Sequence, residues 1–139
     1  MSYTIIKTCT GCEACKLVCP VNAIQGEKKS QHLINPVVCI ECGACGRICP
    51  FKAVIDSDQT LCKQENRKLW MKPLIQENSC VSCGLCLQSC PTGVLDYAEL
   101  TDHKVRAVAH LREPANCIAC AFCAEICPVD AIEMRMPVI

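Results

Sequence analysis

Apolar residues in this chain come in short runs. None approaches the length needed to cross a bilayer, and each is soon interrupted by Lys, Glu or Cys. Such a pattern predicts many brief elements rather than long helices or a wide sheet. Extended segments are expected at Tyr3–Ile6, His32–Asn35, Val54–Asp56, Leu74–Gln76, Leu95–Tyr97, Val105–Val108 and Ile132–Met134. Gly26-Glu-Lys-Lys-Ser30 reads as the turn of a hairpin. Residues 57–73 are polar and basic in the middle, with one apolar knot at Leu69-Trp70-Met71. That stretch is too mixed for a free Gly/Ser linker. It is expected to pack along the junction of the halves and fix their separation.

Between the extended segments one spacing recurs four times. It reads Cys9, Cys12, Cys15, Cys19 with Pro20, then Cys39, Cys42, Cys45, Cys49 with Pro50. The third copy is Cys80, Cys83, Cys86, Cys90 with Pro91, and the fourth is Cys117, Cys120, Cys123, Cys127 with Pro128. Sixteen of the 17 cysteines belong to these runs. The copies pair into longer units over about 1–57 and 73–139, and such self-similarity signals a repeated structure. Three cysteines set three apart let one loop wrap three corners of a small body. Small residues at Gly11, Gly43, Ala44, Gly84 and Ala121 let backbone N–H groups approach the sulfurs. The fourth cysteine follows one helical turn later, about 6 Å along the axis at about 1.5 Å per residue. Proline then stops the helix by pushing the cysteine before it out of helical geometry.

Seventeen cysteines in 139 residues mean either a disulfide framework or a metal protein. Met1-Ser2-Tyr3-Thr4 lacks the features of a secretory signal, the count is odd and the spacing is repetitive. A reducing cytoplasm is therefore the expected setting. Zinc prefers paired CxxC or Cys/His sets. Three cysteines plus one with a trailing proline is the ligand pattern of the cubane iron–sulfur cluster, and four such runs supply four [4Fe–4S] clusters. The second cysteine is present in every run (Cys12, Cys42, Cys83, Cys120), which disfavours a three-iron cluster. Four thiolates per cluster leave no iron open to substrate, so catalysis in the chain's own right is not expected.

The formal net charge is zero. Clusters at about −2 each would make the loaded protein anionic, near −8, so basic side chains close to them favour reduction. The clusters also replace a core for which halves of about 65 residues are barely large enough. Tyr3, Phe51, Tyr97 and Phe122 are expected to cover clusters, Trp70 to plug the junction and Cys62 to be a structural thiol there. His32, His103 and His110 are expected at the surface or in hairpins. The apolar end of Met134–Ile139 is a candidate docking segment.

These runs resemble the bacterial two-cluster ferredoxins, and the whole chain resembles a tandem polyferredoxin of the kind found as four-cluster subunits of oxidoreductases. The resemblance implies an α+β fold of two tandem ferredoxin-like βαββαβ-type domains with pseudo-two-fold symmetry, over 1–57 and 73–139 with 58–72 as connector. It also implies crossed ligation, in which the fourth cysteine of each run serves the other cluster of its pair. The expected sets are Cys9, Cys12, Cys15 and Cys49; Cys39, Cys42, Cys45 and Cys19; Cys80, Cys83, Cys86 and Cys127; and Cys117, Cys120, Cys123 and Cys90. The implied function is relay of single electrons as the iron–sulfur subunit of a larger redox enzyme. A tungsten or molybdenum oxidoreductase is the favoured partner, ahead of a hydrogenase or a 2-oxoacid oxidoreductase, with soluble ferredoxin or a similar carrier on the other side. A polyferredoxin that forms a conducting filament or bridges enzyme copies is the alternative. Neither nucleic acid binding nor direct membrane insertion is expected.

Overall fold

Each cysteine run folds as a loop that feeds a single short helix. In the computed structural model, which describes residues 2–98 and 107–137, these are α1 (Ala14–Val18), α2 (Ala44–Ile48), α3 (Leu85–Ser89) and α4 (Phe122–Ile126). The third cysteine of each run lies second in its helix, and the fourth is the residue that ends it. Cys19, Cys49, Cys90 and Cys127 leave the helical region at ψ of 118°, 115°, 113° and 117°. The following proline enforces this, because its ring clashes with a helical predecessor.

Strands frame the helices. The chain continues through β1 (Thr4–Ile5), β2 (Ile24–Gln25), β3 (Leu33–Ile34) and β4 (Val54–Ile55), then β5 (Lys72–Ile75), β6 (Leu95–Tyr97), β7 (Ala109–Leu111) and β8 (Ile132–Arg135). Among the described residues the pairings are antiparallel: β1 with β4, β2 with β3, β5 with β8, and β6 with β7. The order is thus βαββαβ twice, in two compact units, Met1–Trp70 and Met71–Ile139.

Cysteines share each small core with aliphatic residues. Ile5, Ile24, Ala53 and Val54 pack with Cys15, Cys45 and Cys49 in the first unit. Leu95, Ala109 and Ile132 pack with Cys86 and Cys123 in the second. Strand β2 was not among the expected extended segments, although the turn expected at Gly26–Ser30 needs a strand before it. The strand anticipated at Val105–Val108 lies later, at Ala109–Leu111, while residues 105 and 106 fall outside the described residues. The turn at Gly26–Ser30 does join β2 to β3. No helix among the described residues is long and apolar enough to cross a membrane.

Residues after β4 fold back on the first unit. Ile55 bridges Leu61, and the Cys62 N–H donates to the Val54 carbonyl at 2.9 Å. The Glu65 N–H caps the Arg47 carbonyl of α2 at 2.9 Å. Trp70 is completely buried, with the Arg47 and Arg67 guanidinium carbons 5.2 and 5.5 Å from its ring centre. Its indole N–H donates to the Glu65 carbonyl. Cys62 presses on Gly46 so closely that a Cβ there would lie 2.6 Å from the sulfur.

Candidate metal centres

Four cavities of similar size, about 310, 330, 360 and 310 Å³ with the solvent at their open sides included, sit beside the four loops in chain order. The first is lined by Cys9, Cys12, Cys15 and Cys49. The second is lined by Cys39, Cys42, Cys45 and Cys19. The third has Cys80, Cys83, Cys86 and Cys127, and the fourth has Cys117, Cys120, Cys123 and Cys90. Every cavity therefore gathers three cysteines from one run and the last cysteine of the paired run. The helices that carry them, α1 with α2 and α3 with α4, lie against each other and make the exchange possible.

The loops reach this shape through left-handed residues at repeated positions. Gly11, Glu41, Ser82 and Ala119 have φ of 75°, 58°, 61° and 60°, two residues after the first cysteine of their runs. Glu13, Gly43, Gly84 and Ala121, one residue after the second, have φ of 69°, 81°, 78° and 66°. Asn22, Lys52, Gly93 and Asp130 repeat the conformation three residues after the fourth. A side chain in this region costs about 1–2 kcal/mol. Alternating hand turns successive N–H groups to the concave side, which forms an anion-binding nest. The fourth cysteines show the result: Cys19, Cys49, Cys90 and Cys127 accept from the N–H of Ala23, Ala53, Val94 and Ala131 at 3.3, 3.4, 3.4 and 3.2 Å. Gly11 answers a further demand, because a Cβ there would stand 2.4 Å from the Ser30 nitrogen in the hairpin turn.

The sequence matches the 4Fe-4S dicluster domain over residues 73–134, and a second model of that domain over 8–53 and over 38–94. The chain belongs to the 4Fe-4S dicluster family. Its two dicluster domains carry four [4Fe–4S] clusters, and its function is iron–sulfur electron transfer. The 38–94 match spans the second and third runs, so spacing accommodates that pairing too; the cavities join the first run to the second and the third to the fourth. A search of curated proteins returned no match. Among solved structures, the chain is similar to a chain of the formate dehydrogenase–heterodisulfide reductase–formylmethanofuran dehydrogenase complex from Methanospirillum hungatei. Sequence identity is 21% and the TM-score 0.47, with 98% of this chain and 51% of that chain covered. The dicluster protein thus spans about half the length of that relative.

Thiol electrostatics fit a cationic guest in this dicluster protein. Burial pushes the Cys15 thiol up to about 11, aided by the Cys9 and Cys49 sulfurs nearby. Burial pushes Cys123 up to about 12, with Cys120 adding to it. Cys45 and Cys86 are raised for the same leading reason. The third cysteine of every run is therefore buried among other thiols and resists ionising without iron to receive it. Cys90 goes the other way. Burial raises it, but N–H donors from Val94, Thr92 and Gly93 and the Thr92 hydroxyl outweigh that, and the net shift is downward. Among the described residues no three Cys, His, Asp or Glu side chains converge on one metal ion. Thiolates that bind the outer corners of a cubane stand farther apart than those on a single ion.

Several secondary expectations change. His32 lies in the β2–β3 hairpin, one of its two expected places, but not at the surface: it is fully buried and lines the first cavity. Its Nδ1 lies 3.0 Å from the Ser30 carbonyl, and its backbone N–H donates to the Cys9 sulfur at 3.5 Å. A lone histidine in a hairpin gave no sequence signal of this; the burial follows from Gly26, which leaves room for the ring. Tyr3 lines the second cavity, Tyr97 the third and Phe51 the first, whereas Phe122 lines none of the four. His110 is half-buried in β7, and Cys62 is half-buried against α2. His103, and the end of the tail at residues 138 and 139, lie outside the described residues.

Proposed function

We propose that this chain relays single electrons as the iron–sulfur subunit of a larger redox enzyme, with a tungsten- or molybdenum-dependent oxidoreductase as its catalytic partner. A soluble ferredoxin or similar carrier would exchange electrons at the other end. The observation that carries the electron-relay part of this reading is the grouping of four cysteines, three plus one, around each of four similar cavities. The ligand sets follow that grouping: Cys9, Cys12, Cys15, Cys49; Cys39, Cys42, Cys45, Cys19; Cys80, Cys83, Cys86, Cys127; and Cys117, Cys120, Cys123, Cys90. A [4Fe–4S] group supplies reversible one-electron chemistry when bound.

The chain's own residues do the rest. Crossed cysteines tie the two runs of a unit together, so neither site is complete until both runs have folded. The N–H groups of Ala23, Ala53, Val94 and Ala131 stabilise sulfur charge that grows on reduction. Tyr3, Phe51 and Tyr97 hold water off three of the sites. With all four thiolates engaged, no metal position remains for substrate, and the chain has no catalytic site of its own. Residues 1–57 and 73–139 are read as the two ferredoxin-like domains, each with approximate two-fold symmetry; of the stretch 58–72 between them, the residues up to Trp70 fold with the first unit and Lys72 opens β5. Sixteen reduced thiolates require a reducing compartment, which the cytoplasm provides. A neutral polypeptide suits a fixed subunit better than an acidic, freely diffusing carrier.

Iron and acid-labile sulfide analysis of oxygen-free protein tests the first part, with about sixteen of each expected per chain. Purification of the chain with its native partners tests the second. Tungsten or molybdenum in the complex supports the assignment, and a metal-free or nickel-containing partner overturns it.

A further inference from the structure

Both sites of the first unit sit near charged side chains, but of opposite sign. Glu13 lines the first cavity and keeps only about a quarter of its side chain exposed (25%). The second cavity has Glu41 in its lining, but that side chain is solvent-exposed, so water and salt screen its charge. Behind that cavity's loop stands Arg47. Its Nη2 donates to the Cys42 carbonyl at 3.1 Å. Its Nη1 lies against Gly43, 2.9 Å from where a Cβ would be.

Arg47 is seated from behind. The Trp70 ring faces its guanidinium at 5.2 Å, and the Glu65 N–H holds its backbone carbonyl at 2.9 Å. Glu65 in turn accepts from the indole N–H of Trp70. Residues 65–70 thus close a clamp around the helix that carries Cys45 and delivers Cys49. A guanidinium keeps its charge at every working pH and cannot relieve it by losing a proton.

We propose that Arg47 is the potential-setting residue of the site formed by Cys19, Cys39, Cys42 and Cys45, where it raises affinity for the electron, and that Trp70 is its positioning residue. An electron arriving at this site adds negative charge close to a fixed, half-buried cation, so Arg47 stabilises the reduced state more than the oxidised one. The same charge opposes the burial that raises the Cys42 thiol. Glu13 works in the opposite sense at the neighbouring site. The inference rests on the four-cluster reading above and adds which residue biases one site.

The test is a redox titration of oxygen-free holoprotein, followed by electron paramagnetic resonance, on the native chain, R47Q, R47K and E13Q. Iron and sulfide are counted first; fewer than four clusters in the native chain would sink the underlying reading rather than this one. R47Q is expected to lower one midpoint so that the reduced-to-oxidised ratio at fixed potential falls about tenfold, about 59 mV for one electron. R47K keeps the charge but draws it away from the Cys42 carbonyl, so it should lower the same midpoint by less. E13Q should raise a different midpoint. The proposal fails if R47Q loads fully yet shifts nothing, shifts all midpoints alike, or shifts the one that E13Q shifts. Should R47Q not load iron, an unchanged or raised midpoint in R47K overturns it.

Discussion

The two units hold the same four-plus-four cysteines in different scaffolds. In the first, β1 and β4 pair over two residues, and a packed connector with a fully buried Trp70 clasps α2. In the second, β5 and β8 pair over four residues, and β6 and β7 over three. The residue after the third cysteine shows where the difference enters. It is Lys16, Leu87 and Ala124 in three runs, but Gly46 where Cys62 lands on the helix. One unit is reinforced by side-chain packing from outside the repeat, the other by longer ladders within it. Both succeed because the cysteine-lined centre, common to the two, supplies what the small apolar core lacks.

The comparison breaks most severely at a crossed ligand. Replacing Cys19 by Ser should cost the cluster centred on Cys39, Cys42 and Cys45, about a quarter of the iron, and C90S should do the same at the Cys117 site. Iron counts with site-resolved spectra check this; loss confined to the Cys9 site in C19S would overturn the crossing. A smaller effect is expected from W70A, about 3–5 kcal/mol for a buried large-to-small change. It should lower the melting transition of the first unit and leave that of the second in place. A single merged shift would show that the clasp is not local to its unit.

Overpacking is milder still. G46A drives a methyl group into Cys62, with an expected loss of about 1–3 kcal/mol. Much of that should return in the double variant with C62G, measured by denaturant unfolding, whereas A124G in the second unit needs no partner change. The gentlest lever is pH. Cys15 and Cys123 are pushed up to about 11 and about 12 from a usual value of 9.0. A raised thiol favours the protonated fold: its contribution is present in the metal-free chain below about pH 9 and is lost as pH climbs through 11 and 12. Iron loading must displace those protons, so cluster retention against a chelator should improve from pH 6 to pH 9 in both units. Improvement in one unit alone would separate their centres.

Much of the candidate site was legible because it is local. Four cysteines within eleven residues and a proline after the last leave few geometries, and the helix ending at Cys19, Cys49, Cys90 and Cys127 follows from ring sterics. The left-handed residues were half legible. Glycine announced Gly11, Gly43 and Gly84, but Glu13, Ser82 and Ala119 adopt the same hand without any such mark, because the loop's closure imposes it. His32 sits in a hairpin, one of its two expected places, but its burial was not legible, since it depends on Gly26 and on a turn that packs across Gly11.

By itself, then, the sequence determined the number and kind of metal centres and the short helices between their ligands, since both depend on spacing over a few bonds. The pairing of the runs was expected from the family resemblance; tertiary structure alone decided where the residues after β4 dock and which charge stands behind which loop. Those depend on contacts between residues far apart in the chain, such as Cys62 on Gly46 and Trp70 on Arg47, whose closeness no local spacing encodes.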